Sequence, residues 1–253
     1  ITILKNESVL LSLFNMQRNA KLVLSDGSSF LGSSFGYDAP VTGEVVFSTG
    51  MTGYPETFTD PSYKGQILVL TYPLIGNYGV PDNAKEDGIL KYFESDRIHI
   101  GGLIVSDYSR NPNHWNSHKN LRDWLVENRI PALYDVDTRA VTQTLREHGC
   151  MLGKIVHNSK CSGAWAERGV DAPKQSSPVA EVSVKFIKTY KKGSIKVMLI
   201  DCGAKNSIIR SLLNRDVTVI RVPWNYDFSE EEFDGVLVSN LSLIHISEPT
   251  RPY

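Results

Sequence analysis

The stretch IKVMLIDCGAKNSIIRSLLNRDVTVIRVPW (residues 195–224) decides the fold class of the chain's second half. Its first six residues are apolar except for Lys196, as expected of a largely buried strand. Asp201-Cys202-Gly203 supplies a turn. Ile208, Ile209, Leu212 and Leu213 then fall on one helical face. Residues 217–222 form a second apolar strand, and 235–240 (GVLVSN) a third. Ser229 and Glu232 have capping-box spacing and predict a short helix between them. Strand-helix-strand-helix-strand implies a parallel sheet with right-handed crossovers. Ligands of such sheets bind beyond the strands' C-terminal ends. Asp201, Pro223-Trp224 and Ser239-Asn240 lie at that edge.

Upstream, residues 158–194 are polar, contain two prolines and lack helical period, so they read as a linker with one edge strand, VSVKFI (182–187). Before the linker the pattern is strand-rich. KLVLSDGSSFLGSSFG (21–36) is a hairpin turning at Asp26-Gly27. GEVVFSTG, GQILVLTYP, IGGLIVSDY and ALYD are further strands. Ser117 is the expected cap of a helix running to Pro131, and Asp137 caps a second that stops at Gly149. MLGKIVH closes a mixed α/β domain over residues 19–157.

The bulk numbers narrow the function classes. The chain has 253 residues, is 41% hydrophobic and carries a net charge of −1. No charge-driven case for nucleic acid or an anionic membrane arises, and no apolar run is long enough for a membrane helix. Cys150, Cys161 and Cys202 are too widely spaced for a zinc knuckle or a disulfide framework, which fits a reducing compartment. His114 and His118 sit i,i+4 in HWNSH, without the glutamate of a zinc-protease helix. Cys202 precedes a helix, but Asp201 beside it is expected to raise the thiol pKa, so it reads as a turn cysteine rather than a nucleophile.

The densest turn chemistry lies in TGMTGYPETFTDPSYKGQILVLTYPLIGNYG (49–79). With VDTRAVTQTLREHGCMLGKI and IDCGAKNSIIRSLLNRDVTVIRVPWNYDF, it resembles the small subunit of carbamoyl phosphate synthetase over residues 20–240. The resemblance implies an α/β chain: a mixed small-subunit N-terminal domain, then the start of a parallel-sheet class I glutamine amidotransferase domain (195–240). In that family a cysteine thiolate attacks the amide of L-glutamine, with a histidine and a glutamate completing the triad. Ammonia passes to a large synthetase partner that uses ATP, bicarbonate and Mg.

Carried over residue by residue, Ser62 of DPSY would contact glutamine, a role a hydroxyl can fill as donor and acceptor. Ser239 and Asn240 begin the loop whose next residues, two glycines in the family, would complete that contact; Leu241-Ser242-Leu243 stand there instead. No catalytic residue and no metal ligand is expected within the chain, so it reads as an inactive N-terminal part of the enzyme. A non-catalytic module for the synthetase partner is the alternative. TYPLIGNYG and YFESDRIHIGGLIVSDYSRNPNHW are similar to glutamine-dependent, fused pyrimidine-synthesis members, implying the cytosol, with the mitochondrial ammonia-dependent form as the other reading. Residues 1–18 read as an upstream leader with Met16 as the start, and LSLIHISEPTRPY (241–253) as translated adapter sequence. Residues 195–253 alone are expected to aggregate, because three strands leave an open apolar edge.

Overall fold

A computed structural model of the protein describes residues 19–157 and 177–241. The expected leader, most of the linker and all of the expected tail except Leu241 lie outside the described residues. In chain order the strands are β1 (Ala20–Leu24), β2 (Ser29–Ser34), β3 (Val41–Ser48), β4 (Ile67–Leu70), β5 (Lys85–Glu86), β6 (Ile89–Leu90) and β7 (Gly102–Val105). There follow β8 (Ala132–Tyr134), β9 (Met151–His157), β10 (Lys188–Tyr190), β11 (Ile195–Asp201), β12 (Val217–Pro223) and β13 (Gly235–Val238). The helices are α1 (Tyr54–Thr59), α2 (Leu121–Glu127), α3 (Thr138–His148), α4 (Pro178–Val182) and α5 (Asn206–Leu213), with a 3-10 turn at Pro61–Tyr63.

These elements form two compact units that interleave in sequence. One contains residues 19–54, 65–82 and 100–157; the other contains 55–64, 83–99 and 177–241. Two segments within the stretch read from sequence as one domain, 55–64 and 83–99, therefore cluster with the C-terminal sheet.

The first unit is a closed barrel with strand order β1-β2-β8-β7-β4-β3-β9. β1 and β2 meet antiparallel at Asp26-Gly27, where Gly27 has φ +88° and Asp26 Oδ1 accepts the Ser28 amide at 2.8 Å. β4 and β7 are parallel neighbours buried at every residue, which is why they read as continuous rather than alternating apolar runs. Asp137 caps α3 by accepting from Ala140 N, and Val141 and Leu145 reach the core of Leu22, Ile67, Ile104 and Ile155. Each such buried side chain contributes about 1.5–3 kcal/mol of burial energy.

The helix expected to be capped by Ser117 begins later, at Leu121. Asn120 is its cap, with Oδ1 accepting Asp123 N at 2.8 Å. The intervening backbone is committed elsewhere: Ser117 N donates to His114 O, and Lys119 bridges Val80.

The second unit holds a sheet of order β10-β12-β11-β13. β11 is parallel to both β12 and β13, and β10 is an antiparallel edge. α5 lays Ile209 and Leu213 on Leu199, Val217 and Val219, and Ile89 of β6 joins that core. The 83–99 segment is further tied to α5. Asn206 Nδ2 donates to Phe93 O at 3.0 Å, Arg210 Nη1 to Leu90 O at 2.6 Å, and Ser207 N to Glu94 Oε2 at 2.9 Å. The β5–β6 hairpin turns at Asp87-Gly88, both with positive φ, a dipeptide signal legible in the sequence.

Two expectations are corrected here. No helix follows Ser229, because Asp227 Oδ1 takes both the Ser229 amide (3.1 Å) and hydroxyl (2.8 Å), and Glu231 bonds Tyr226; the capping box is not made. VSVKFI is not a strand: α4 ends at Val182 and β10 starts only at Lys188, since Ser183 and Val184 bond to the ends of β12 and β11.

Candidate functional site

The parallel order β12-β11-β13 places the first strand between the second and the third. In such sheets the crossovers diverge at the first strand, and the ligand crevice opens between strands one and three. Here that is the gap between the C-terminal ends of β11 and β13.

The turn after β11 is built around Asp201, which is fully buried. Its Oδ1 accepts Gly203 N at 2.9 Å and Ala204 N at 2.7 Å. Its Oδ2 accepts Val184 N at 2.7 Å and Arg221 Nε at 3.0 Å, with Arg221 Nη2 at 2.8 Å. A buried carboxylate is tolerated only when its lone pairs are so satisfied. Gly203 has φ +115°, and a Cβ placed on it would lie 2.6 Å from Leu241 Cδ1, 3.2 Å from Val182 Cγ2 and 3.4 Å from Pro61 Cβ. Three chain segments thus converge on one bare α-carbon.

Pro61 brings its neighbour Ser62 to this edge. Ser62 is buried in the 3-10 turn, whose cap Asp60 accepts the Ser62 amide on Oδ1 at 2.9 Å. Asp60 Oδ2 pairs with Lys205 Nζ at 2.6 Å, and Lys205 is the residue before α5. On the β13 side, buried Ser239 donates its amide to Ile200 O at 3.0 Å, and its Oγ accepts Cys202 N at 2.9 Å. Asn240 is exposed. The expected site residues Ser62, Ser239 and Asn240 therefore belong to one unit, with their chain neighbours Pro61 and Leu241 both against Gly203.

Burial, and then the charge of Asp201, push the Cys202 thiol up from its ordinary value. The backbone hydrogen bond it makes is from its amide, not its sulfur. His114 lies edge-on to Tyr78 with ring centroids 6.1 Å apart. Among the described residues no group of three or more His, Cys, Asp or Glu side chains could hold a metal ion.

Sequence reading missed Asp60, Lys205 and Arg221. Asp60 opens DPSY and Lys205 ends CGAK, so their opposite charges were a usable signal. Arg221 lies within an apolar strand, and a lone cation there asks for a buried anion.

A family model described as the carbamoyl-phosphate synthase small chain, CPSase domain, matches residues 22–155. Multifunctional protein CAD of Squalus acanthias is 50% identical over 223 residues, 87% of this chain and 10% of that protein. Carbamoyl-phosphate synthase [ammonia], mitochondrial, of Homo sapiens is 48% identical over 227 residues, 88% of this chain and 15% of that protein. Multifunctional protein ura1 of Schizosaccharomyces pombe is 43% identical over 248 residues, covering 87% and 11%. The chain thus spans only 10% to 15% of the length of these relatives.

Proposed function

Since the chain belongs to the carbamoyl-phosphate synthase small-chain family, we propose that its second unit is the start of a glutamine amidotransferase domain and that Ser62 contacts L-glutamine there. In this reading the whole protein hydrolyses glutamine and delivers ammonia to a synthetase region, which makes carbamoyl phosphate with ATP, bicarbonate and Mg in the cytosol. The observation that carries it is the meeting of Pro61 and Leu241 on Gly203. It supports a ligand contact by Ser62, the buried residue that follows Pro61, at the C-terminal edge of the sheet, where ligands of such folds bind. The names of two relatives, CAD and ura1, describe multifunctional proteins, which supports a fused synthetase region as partner.

A second reading is favoured by one observation, the 48% identity to an enzyme named as ammonia-dependent and mitochondrial. One experiment separates them. Carbamoyl phosphate formation by the full-length protein is measured with glutamine and with ammonia as the sole nitrogen source, alongside its distribution between cytosol and mitochondria. Turnover with glutamine, lost when the downstream nucleophile is removed, supports the first reading. Turnover with ammonia alone supports the second.

A further inference from the structure

The C-terminal edge of the sheet is covered on its β11–β12 side by the chain itself. Residues 182–184 cross the ends of β11 and β12. Ser183 Oγ accepts the amide of Trp224, just past β12, at 3.0 Å. Val184 N donates to Asp201, the last residue of β11, at 2.7 Å. Val182 packs on the Gly203 α-carbon. Val182 and Ser183 are only 7% and 5% exposed.

The same contacts fix the turn beneath. Asp201 uses one oxygen on the segment and on Arg221, and the other on Gly203 N and Ala204 N. The first turn of a doubly wound sheet commonly offers such amides to a phosphate. Here an internal carboxylate already takes the Gly203 and Ala204 amides, so those two donors are not open to an incoming anion.

We propose that residues 182–184 are a strap that closes the β11–β12 half of the crevice, and that Ser183 and Asp201 are positioning residues for the ligand edge. The strap holds the Gly203–Ala204 turn on the path against which Pro61, and so Ser62, rests. It confines a ligand to the β11–β13 half and disfavours phosphate-bearing ones. The role in glutamine binding rests on the amidotransferase reading above; the role in holding the turn does not.

The test uses Ser183→Ala, with Ser183→Thr as the variant that keeps the hydroxyl. In the 253-residue chain, Ser183→Ala is expected to speed amide exchange of Trp224, Gly203 and Ala204 together by about tenfold, the scale of one lost hydrogen bond. Ser183→Thr restores the slow rates. In the full-length protein, Ser183→Ala raises the KM for glutamine by about tenfold, with kcat and ammonia-dependent synthesis changed less than about twofold. Unchanged exchange at Gly203 and Ala204 overturns the strap. Faster exchange with an unmoved glutamine KM overturns the positioning role. If the unsubstituted protein does not use glutamine, the amidotransferase reading fails, and the exchange measurement alone decides the strap.

Discussion

Asp60 and Lys205 are joined by a 2.6 Å ion pair, while the other oxygen of Asp60 accepts the Ser62 amide at 2.9 Å. One carboxylate thereby couples the turn carrying Ser62 to the residue that precedes α5. Asp60→Asn keeps an acceptor for Ser62 but loses the pair. Lys205 is 40% exposed on its side chain, so solvent screens the interaction, and the expected stability loss is about 0.5–1 kcal/mol in urea unfolding. On the proposed glutamine-hydrolysing reading, a several-fold rise in glutamine KM for the full-length protein should accompany it. An unchanged KM would show that the pair is irrelevant to the site.

Asp201 and Arg221 form a different kind of pair, since Asp201 is 0% and Arg221 8% exposed. Arg221→Met leaves a buried carboxylate without its counter-charge and is expected to cost about 3–5 kcal/mol. Chemical denaturation checks this. A loss below about 1 kcal/mol would mean that the three backbone amides suffice to hold the charge.

Gly203 admits no side chain without displacement. Gly203→Ala meets Leu241, Val182 and Pro61 and must also adopt φ +115°, at an expected cost of about 1–3 kcal/mol. A thermal melt indistinguishable from the parent would contradict the convergence of these segments.

His99 is buried, and its pKa is pushed down to about 4 from 6.5, chiefly by burial and then by the Arg97 and Lys64 cations. It is neutral when folded at neutral pH, whereas the unfolded chain takes up a proton below pH 6.5. Its contribution is therefore complete above pH 6.5 and lost progressively as the pH falls to about 4. The amount at stake is on the order of 3 kcal/mol. Unfolding of His99→Gln across this window should show a flatter pH dependence. An NMR titration placing the His99 midpoint near 6.5 would refute the assignment.

Residues 195–253 expressed alone are expected to aggregate, now for a more specific reason than an open edge. They lack Ile89, the Phe93 carbonyl and the Glu94 carboxylate, which the α5 face needs. Adding 55–64 and 83–99 on the same chain should restore solubility. A monodisperse, cooperatively melting 195–253 would refute this dependence.

Local patterns were enough to read much of the molecule. The Asp26-Gly27 hairpin, the Asp137 and Gly149 ends of α3, and the strand-helix-strand run from Ile195 follow from period, cap and turn chemistry within a few residues. So did the placing of Ser239 at a strand end. The misread elements have two causes. Ser117 and Ser229 have cap spacing, but a nearer competitor takes their polar groups, His114 O three residues back and Asp227 Oδ1 two residues back. Ser183 is instead taken by Trp224, 41 residues on, which no local spacing reveals.

The sequence by itself determined where the β1–β2 hairpin, the long buried strands and the α3 and α5 helices fall, because side-chain periodicity and turn residues act over a few positions. Only the tertiary structure decided that 55–64 and 83–99 belong with the C-terminal sheet, that Asp201 is neutralised by Arg221, and that Pro61, Val182 and Leu241 meet on Gly203. Those outcomes are set by burial and charge pairing between residues 20 to 180 positions apart (Arg221 from Asp201 at one end, Leu241 from Pro61 at the other). Such contacts form wherever the folded chain removes the most apolar surface and leaves no buried charge alone, and no local repeat along the sequence encodes them.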